Sequence, residues 1–513
     1  MRAFVYSPDP LDRRRVMVKP QITKGAQQLM DTNYHAHQTP QFRILSDRQI
    51  ERLYRAALEC MNRTGVHVLN AEARDLLAAA GARVDGVRVR IPPHIIQDAV
   101  AANPRSFTLW GRDGAHRVQI VPDRVHFGPG PTCTNFLDPE TGELRKSRRG
   151  DPALAARVCD ALDNFDYAMG LGLIDDIHHR LAPVFEFAEM VANTGKPVLP
   201  WGYTLDNVRD VYEIALAVAG SAEALRERPF FAWFACSQPP LIHTDAVLAN
   251  VFWAVERDVP IVYLGGGCAG ATAPVSGAGT LVICLAATLS GLAIIQLKKR
   301  GAAVCIGSVP QAMDLRTGRP AYGSPEMSLY SAAMSDVARY LGLPFMGTAG
   351  ASESKVLDLQ AAIECTTQVI LSGLSGATLV HDAGFLDCAN IGCLESLVMT
   401  DEIIGMARRI MRGIEVSDET LMLDLIDRIG PDGEFMSAKE TARQCRLQIW
   451  QPSLMDREQC VNWQASGSQT MVDRIKARLR EILATHRPPP LPEGAAEKIE
   501  AVLAAAQSRE AEK

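Results

Sequence analysis

Aromatic side chains make up only 6% of this 513-residue chain, so any ring-lined site has to be built from few of them. Basic excess is missing too: 53 Lys and Arg against 59 Asp and Glu leave a net charge of −6. A nucleic-acid face, which needs clustered positive charge, is therefore not expected. The twelve cysteines follow no short repeating spacing, which argues against a disulfide framework. Cys388 and Cys393 stand five apart without a second pair or a nearby His pair, so no metal site is expected. No P-loop, dinucleotide-binding fingerprint or G-x-S-x-G elbow can be read anywhere. The opening "MRAFVYSPDPLDRRR" lacks an apolar core of the kind a secretory signal carries, and the expected location is cytoplasmic. Long hydrophobic runs are also scarce. The one of membrane length, "TLVICLAATLSGLAIIQL" (280–297), includes Thr280, Thr288, Ser290, Gly291 and Gln296. It stands alone and suits a helix buried inside a protein, so no membrane association is expected.

What the chain does have is alternation. Short β-rich runs at 124–128, 167–174, 197–204, 230–237, 260–266, 303–309, 344–350 and 377–384 are separated by helical patterns such as 178–194 and 325–342. Apolar strands alternating with helices predict a parallel sheet covered by helices. Eight such units without a nucleotide-binding turn predict an α/β fold, a (β/α)8 TIM barrel. We expect an N-terminal helical extension over 1–120, the barrel over 121–414, and a C-terminal helical extension and arm over 415–513, the arm opening at "RPPPLPEG".

Active sites of such barrels lie at the C-terminal ends of the strands. The rings Phe127, Trp201, Tyr203, Trp233 and Tyr263 fall on strands near that rim. Gathered round a pocket they suit a quaternary ammonium, whose charge makes no hydrogen bonds. Alternatively they fill barrel layers or pack beneath helices. His381 and Asp382 end the last strand, and strict alternation lets only one face the mouth; His381 is the expected one, as a contact for an anionic group. Glu326, in "GSPEM", either starts a helix, where the helix N-terminus stabilises a carboxylate, or serves the site. Glu353 lies in "GTAGASESKVLDLQ" (347–360), an unusually small and flexible strand-to-helix join followed by opposite charges two residues apart. Glu326, Glu353 and His381 are the candidate catalytic groups. Phe127, Trp201, Tyr203, Trp233, Tyr263, His381 and Asp382 are the candidate substrate contacts. The glycines of "GGGCAGATAP" (265–274) permit close approach by a ligand or a second protein.

Four stretches, "GGCAGATAPVSGAGTLV", "GSPEMSLYSAAMSDVARYLGLPF", "SESKVLDLQAAIE" and "CLESLVMTDEIIGMARRI", together resemble the trimethylamine methyltransferase family of corrinoid-dependent enzymes. The resemblance runs from about 45 to 480 in order and spacing. It implies a (β/α)8 barrel that moves a methyl group from an amine to a separate corrinoid protein, in one-carbon metabolism of the methanogenesis type. One departure is visible. Archetypal members carry pyrrolysine in the loop before the "SESK"-like motif, whereas this chain reads Gly350-Ala351-Ser352. It is more similar to the non-pyrrolysine branch, whose substrates are quaternary amines such as glycine betaine. Carnitine, proline betaine and trimethylamine remain alternatives, as does a non-catalytic amine-binding barrel. The resemblance further implies no tightly bound cofactor, cobalamin carried by the partner, and docking of that partner on loops with Gly265, Gly266, Gly267, Gly350, Ala351 and Ser352. No "DxHxxG"-type motif for holding a cobalamin base is present. A homo-oligomer is expected.

Overall fold

The computed structural model describes residues 41–122 and 124–512; the opening "MRAFVYSPDPLDRRR" lies outside them. Six parallel strands form a continuous curved sheet: β1 (His126–Pro129), β4 (Trp233–Cys236), β5 (Ile261–Ala269), β6 (Val304–Asp314), β7 (Phe345–Thr348) and β8 (Leu379–Ala383). Two shorter extended segments, 167–169 (β2) and 197–199 (β3), close the gap between β1 and β4. They are held by the parallel bridges Ala168 to Val198 and Val198 to Phe231. Backbone bonds from Asp166 N to Phe127 O (2.8 Å) and from Leu171 N to Gly130 O (2.9 Å) join β2 to β1. The sheet is thus a closed eight-stranded barrel, as the alternation predicts.

A long helix follows each strand: α1 (Asp151–Ala161), α2 (Ala182–Asn193), α3 (Leu205–Ala219, with the short helix Ala222–Glu227 after it), α4 (Asp245–Glu256), α5 (Gly277–Lys298), α6 (Pro325–Leu341), α7 (Leu359–Ser375) and α8 (Leu394–Met411). Their ends follow local chemistry. The Ser324 side chain caps α6 by accepting the Met327 N–H, and Gly342 ends it with a left-handed residue. Asp358 and Gly376 do the same for α7; polar N-caps and C-terminal glycines are the general solution for orphaned helix-end groups. The apolar run becomes α5, the one helix among the described residues long and apolar enough to cross a membrane, and 78% of that stretch is buried inside the protein.

Alternation along the strands divides the core in two. Met169, Leu199, Ala232, Phe234, Val262, Leu264, Cys305, Met346 and Leu379 face inward, and the larger cluster lies between strands and helices. The hairpin 107–120 plugs the floor of the barrel with Leu109, Val118 and Ile120. The N-terminal extension is not purely helical. Its helices Asp47–Arg63, Ala71–Ala79 and Pro93–Ala102 enclose three short strands, and Ile242–His243 from the loop after β4 adds a fourth. After Arg412 the chain is helical to its described end.

Candidate active site

The barrel mouth is assembled from inward-facing residues at the strand ends. Phe234 on β4 belongs to the inner cluster, and its ring meets that of His381 edge-on at 5.8 Å. Two residues on, Cys236 is exposed to solvent, yet desolvation by the surrounding protein pushes its thiol up to about 12. An accessible residue whose thiol is so desolvated lies on a concave wall. Tyr322, on the loop above β6, is half-buried, and burial pushes its phenol well above the usual range, with Asp382 adding to the effect.

His381 and Asp382 are both buried, at 3% and 2% exposure. His381 Nδ1 lies 2.5 Å from Asp382 Oδ1 but out of hydrogen-bond alignment, and both ring nitrogens and Asp382 Oδ2 lack a hydrogen-bond partner. Alternation admitted one of the two to the mouth; the structure admits both. Asp382 has φ +86°, which breaks the pleat, and its carboxylate lies within electrostatic reach of Cys133, Tyr167, Cys236 and Tyr322. Such a conformation costs about 1–3 kcal/mol and tends to persist at functional sites. Thr348 Oγ1, at the end of β7, is also buried without a partner.

Across the mouth, Trp201 and Tyr203 follow β3. Their rings meet perpendicularly at 4.8 Å; Trp201 is half-buried and Tyr203 is 44% exposed. The Trp201 indole N–H donates to Glu186 Oε1 at 3.2 Å. Glu186, on α2, is 1% exposed and its Oε2 has no partner. Burial, only partly offset by the bonds from Trp201 and the Gly170 backbone, raises its carboxyl to about 8.

Three of the five expected rings face away from the mouth. Trp233 and Phe127 belong to the outer core between strands and helices. Tyr263 does too: its hydroxyl bonds His243 Nδ1 at 2.6 Å, His243 Nε2 meets Ser290 of α5 at 2.8 Å, and a Cβ on Gly291 would fall 2.1 Å from the ring. They pack beneath helices. Their neighbours one residue along, such as Phe234, hold the inward positions.

The carboxylate candidates fare differently. Glu326 is exposed in the first turn of α6, the helix-start role. Glu353 is half-buried; its Oε1 accepts the Tyr322 N–H at 2.5 Å and the Gly323 N–H at 3.3 Å. Burial raises its pKa. It holds the Tyr322 loop in place, a positioning role beside the mouth.

The small loop at 350–352 is not a surface. Gly350, Ala351 and Ser352 are buried. Gln368 Oε1 of α7 accepts the N–H groups of Gly350 (3.0 Å) and Ala351 (3.2 Å), while Glu364 Oε2 accepts from Ser352 Oγ (2.6 Å) and Glu353 N (2.8 Å). A Cβ on Gly350, itself at φ +89°, would lie 3.0 Å from Ala383 Cα. Small residues stand here because α7 pulls the loop against β8. The charge of Glu353 turns to the Tyr322 loop, and exposed Lys355 bonds the Glu353 carbonyl at 2.7 Å. Gly265 and Gly267 are corrected likewise: a Cβ on Gly265 would strike Thr288 of α5 at 2.5 Å, and one on Gly267 would crowd Ala273 and Cys284 at 3.3 Å. They allow α5 to sit close to β5. Only Gly266 is half-buried with nothing nearer than 3.5 Å to an added Cβ, which leaves it at the mouth.

Comparison with known proteins bears on this arrangement. The family model described as trimethylamine methyltransferase (MTTB) matches residues 12–511. A protein of Desulfitobacterium hafniense named trimethylamine methyltransferase MttB is 32% identical over 89% of this chain and 92% of its own length. Glycine betaine methyltransferase of a second strain of that organism is 27% identical over 91% and 97%. The crystal structure of monomethylamine methyltransferase (MtmB) of Methanosarcina barkeri superposes with a TM-score of 0.51 at 12% identity, covering 86% of this chain and 88% of that one.

Proposed function

Because the chain belongs to the trimethylamine methyltransferase family, we propose that it takes a methyl group from a quaternary amine, glycine betaine foremost, and passes it to the Co(I) centre of a separate corrinoid protein. The observation that carries this reading is the composition of the mouth. A perpendicular pair of rings, Trp201 and Tyr203, stands in a rim where His381, Asp382, Glu186 and Thr348 all keep buried polar atoms without partners. Buried polar groups are normally satisfied, so a rim of this kind is organised for something that arrives from outside. Aromatic faces attract a cation that cannot hydrogen-bond, and the His381 imidazole suits a carboxylate at the other end of a betaine.

The chemistry balances without a proton. The cobalt lone pair forms the new bond to the methyl carbon, the C–N bond breaks, and its electron pair stays on nitrogen as a neutral tertiary amine. A quaternary nitrogen is already cationic, so no further alkylation of the leaving group is needed. That agrees with Gly350-Ala351-Ser352 where pyrrolysine would stand. The chain's part is to hold the methyl carbon in line and keep water out. Such positioning alone is worth about 7–11 kcal/mol of barrier in well-oriented systems.

The test mixes the chain with a Co(I) corrinoid protein or reduced cobalamin and a panel of quaternary and tertiary amines, reading methyl-Co(III) by its absorption. Methylation with glycine betaine or a close relative alone supports the reading. Turnover of trimethylamine alone, of every amine, or of none would defeat it.

A further inference from the structure

Glu186 is a residue that the sequence does not single out, and its surroundings ask for an occupant. We propose that Glu186, Trp201 and Tyr203 form the cation half of the substrate site: the ammonium methyl groups lie in the corner between the two rings, and the Glu186 carboxylate supplies the counter-charge. The inference rests on the quaternary-amine reading above and adds to it the group that neutralises the cation.

Three observations carry it. First, space is reserved for the carboxyl: a Cβ on Gly170 would lie 2.2 Å from Glu186 Oε1, so only glycine at the end of β2 admits it. Second, the carboxyl is tied to one wall of the corner, since Trp201 Nε1 donates to Oε1, while Oε2 is buried with no donor at all. Third, its charge reaches the other wall: burial raises the Tyr203 phenol, and Glu186 adds to the rise. Among the described residues no side-chain cation pairs with it. Arg149 is paired with Glu189 further along α2 at 2.7 Å, and His178 and Arg180 stand 3.6 and 3.9 Å from Glu510 of the C-terminal helix. A buried carboxylate without a cation is costly, which explains why burial holds Glu186 up to about 8. The empty site therefore carries a neutral acid at pH 7. A permanent cation in the corner reverses the preference, and the proton passes to solvent as the ligand binds.

The experiment is a calorimetric titration of the full chain with glycine betaine from pH 6 to 9, in buffers of differing ionisation enthalpy. The same titration is made with 3,3-dimethylbutanoate, the uncharged-carbon analogue. The proposal predicts betaine affinity rising up to tenfold per pH unit below about 8 and levelling above it, with close to one proton released per ligand at pH 7. The carbon analogue shows no such rise. Glu186→Gln keeps the melting temperature and abolishes both the pH dependence and the proton release. Tyr203→Ala, at an exposed position, weakens betaine binding at every pH while leaving the proton release intact. Betaine binding by the wild type that is flat with pH, or unchanged in Glu186→Gln, overturns the role of Glu186 and leaves the quaternary-amine reading standing. Absence of binding by any quaternary amine at any pH overturns both.

Discussion

The two ends of the barrel differ in how fully buried polar groups are satisfied, although His126 Nδ1 at the floor has only an ion-pair approach to Asp166 at 3.3 Å. At the floor, Lys196 is buried but its ammonium donates to the carbonyls of Cys159, Leu162 and Phe165 at 2.7, 2.7 and 2.8 Å. Asp166 accepts from Arg408 at 2.7 Å and from the Phe127 N–H at 2.8 Å, and Asp160 accepts from His486, Thr194 and Gly195. At the mouth, Glu186, Thr348, His381 and Asp382 keep buried atoms without partners. Backbone conformation divides the same way: the non-glycine residues Leu171, Leu241, Asp387, Cys388 and Ala389 in loops, and Asp382 at the end of β8, adopt positive φ on the mouth side, against Asp258 beside the floor. The floor is built for stability, and the mouth gives up some stability to keep polar groups free for a ligand.

Substitutions can break this contrast. The largest effect is expected at the floor. Lys196→Met takes the ammonium from three buried carbonyls, of which Leu162 O keeps the Phe165 N–H at 3.4 Å. With two carbonyls each losing about 1–3 kcal/mol it should cost about 2–6 kcal/mol, with methyl transfer per folded molecule unchanged; urea denaturation beside the methyl-Co(III) assay checks both halves. At the mouth, His381→Ala should reverse the pattern, lowering methyl transfer by about a hundredfold or more through misplaced substrate while the denaturation midpoint stays put or rises.

Acid sharpens the comparison further. Although burial opposes it, Arg408 and His126 hold the Asp166 carboxyl down to about 2, below the roughly 3.9 of an unfolded chain. A carboxylate with a lowered folded pKa stabilises the fold above its unfolded value, and the stabilisation disappears as pH falls through the folded one. Asp166→Asn should therefore cost about 2–3 kcal/mol at neutral pH and remove the loss of stability that the wild type shows between about pH 4 and 2. Wild-type and variant stabilities that remain parallel through that window would remove Asp166 from the account. The smallest effect is at Thr348→Val. Its hydroxyl is buried without a partner, so the variant should be neutral or more stable by up to about 1 kcal/mol. A loss of more than that would mean the hydroxyl is satisfied in solution.

The barrel was readable because its eight strand runs alternate with helical patterns, and caps such as Ser324 and Asp358 stand where the helices start. Which face each ring takes was not. Strands of a parallel barrel are buried on both sides, so the alternation of polar and apolar residues that marks an outward face is missing. Trp233 and Phe234 therefore look equally suited to the mouth, and only the fold assigns it to Phe234. Parity along 232–236 was the available signal, since Ala232, Phe234 and Cys236 share a side. Asp382 was legible as a candidate, but not that it reaches the mouth together with His381, because positive φ in an aspartate leaves no mark on a strand pattern. Glu186 sits in "VFEFAEM" three residues before Glu189, and two acids at that helical spacing look like a solvated face. The glycines at 265 and 267 were legible as close-approach positions, but the approaching group is α5.

Where the amine binds is the most direct test of the mouth as the substrate site. A crystal of the chain soaked with glycine betaine should show the trimethylammonium group in the corner of Trp201 and Tyr203, with its carboxylate towards His381. Density at the floor beside Lys196 and Asp166, or in the apolar groove lined by Leu53, Leu281 and Tyr330, with the mouth empty, would contradict it.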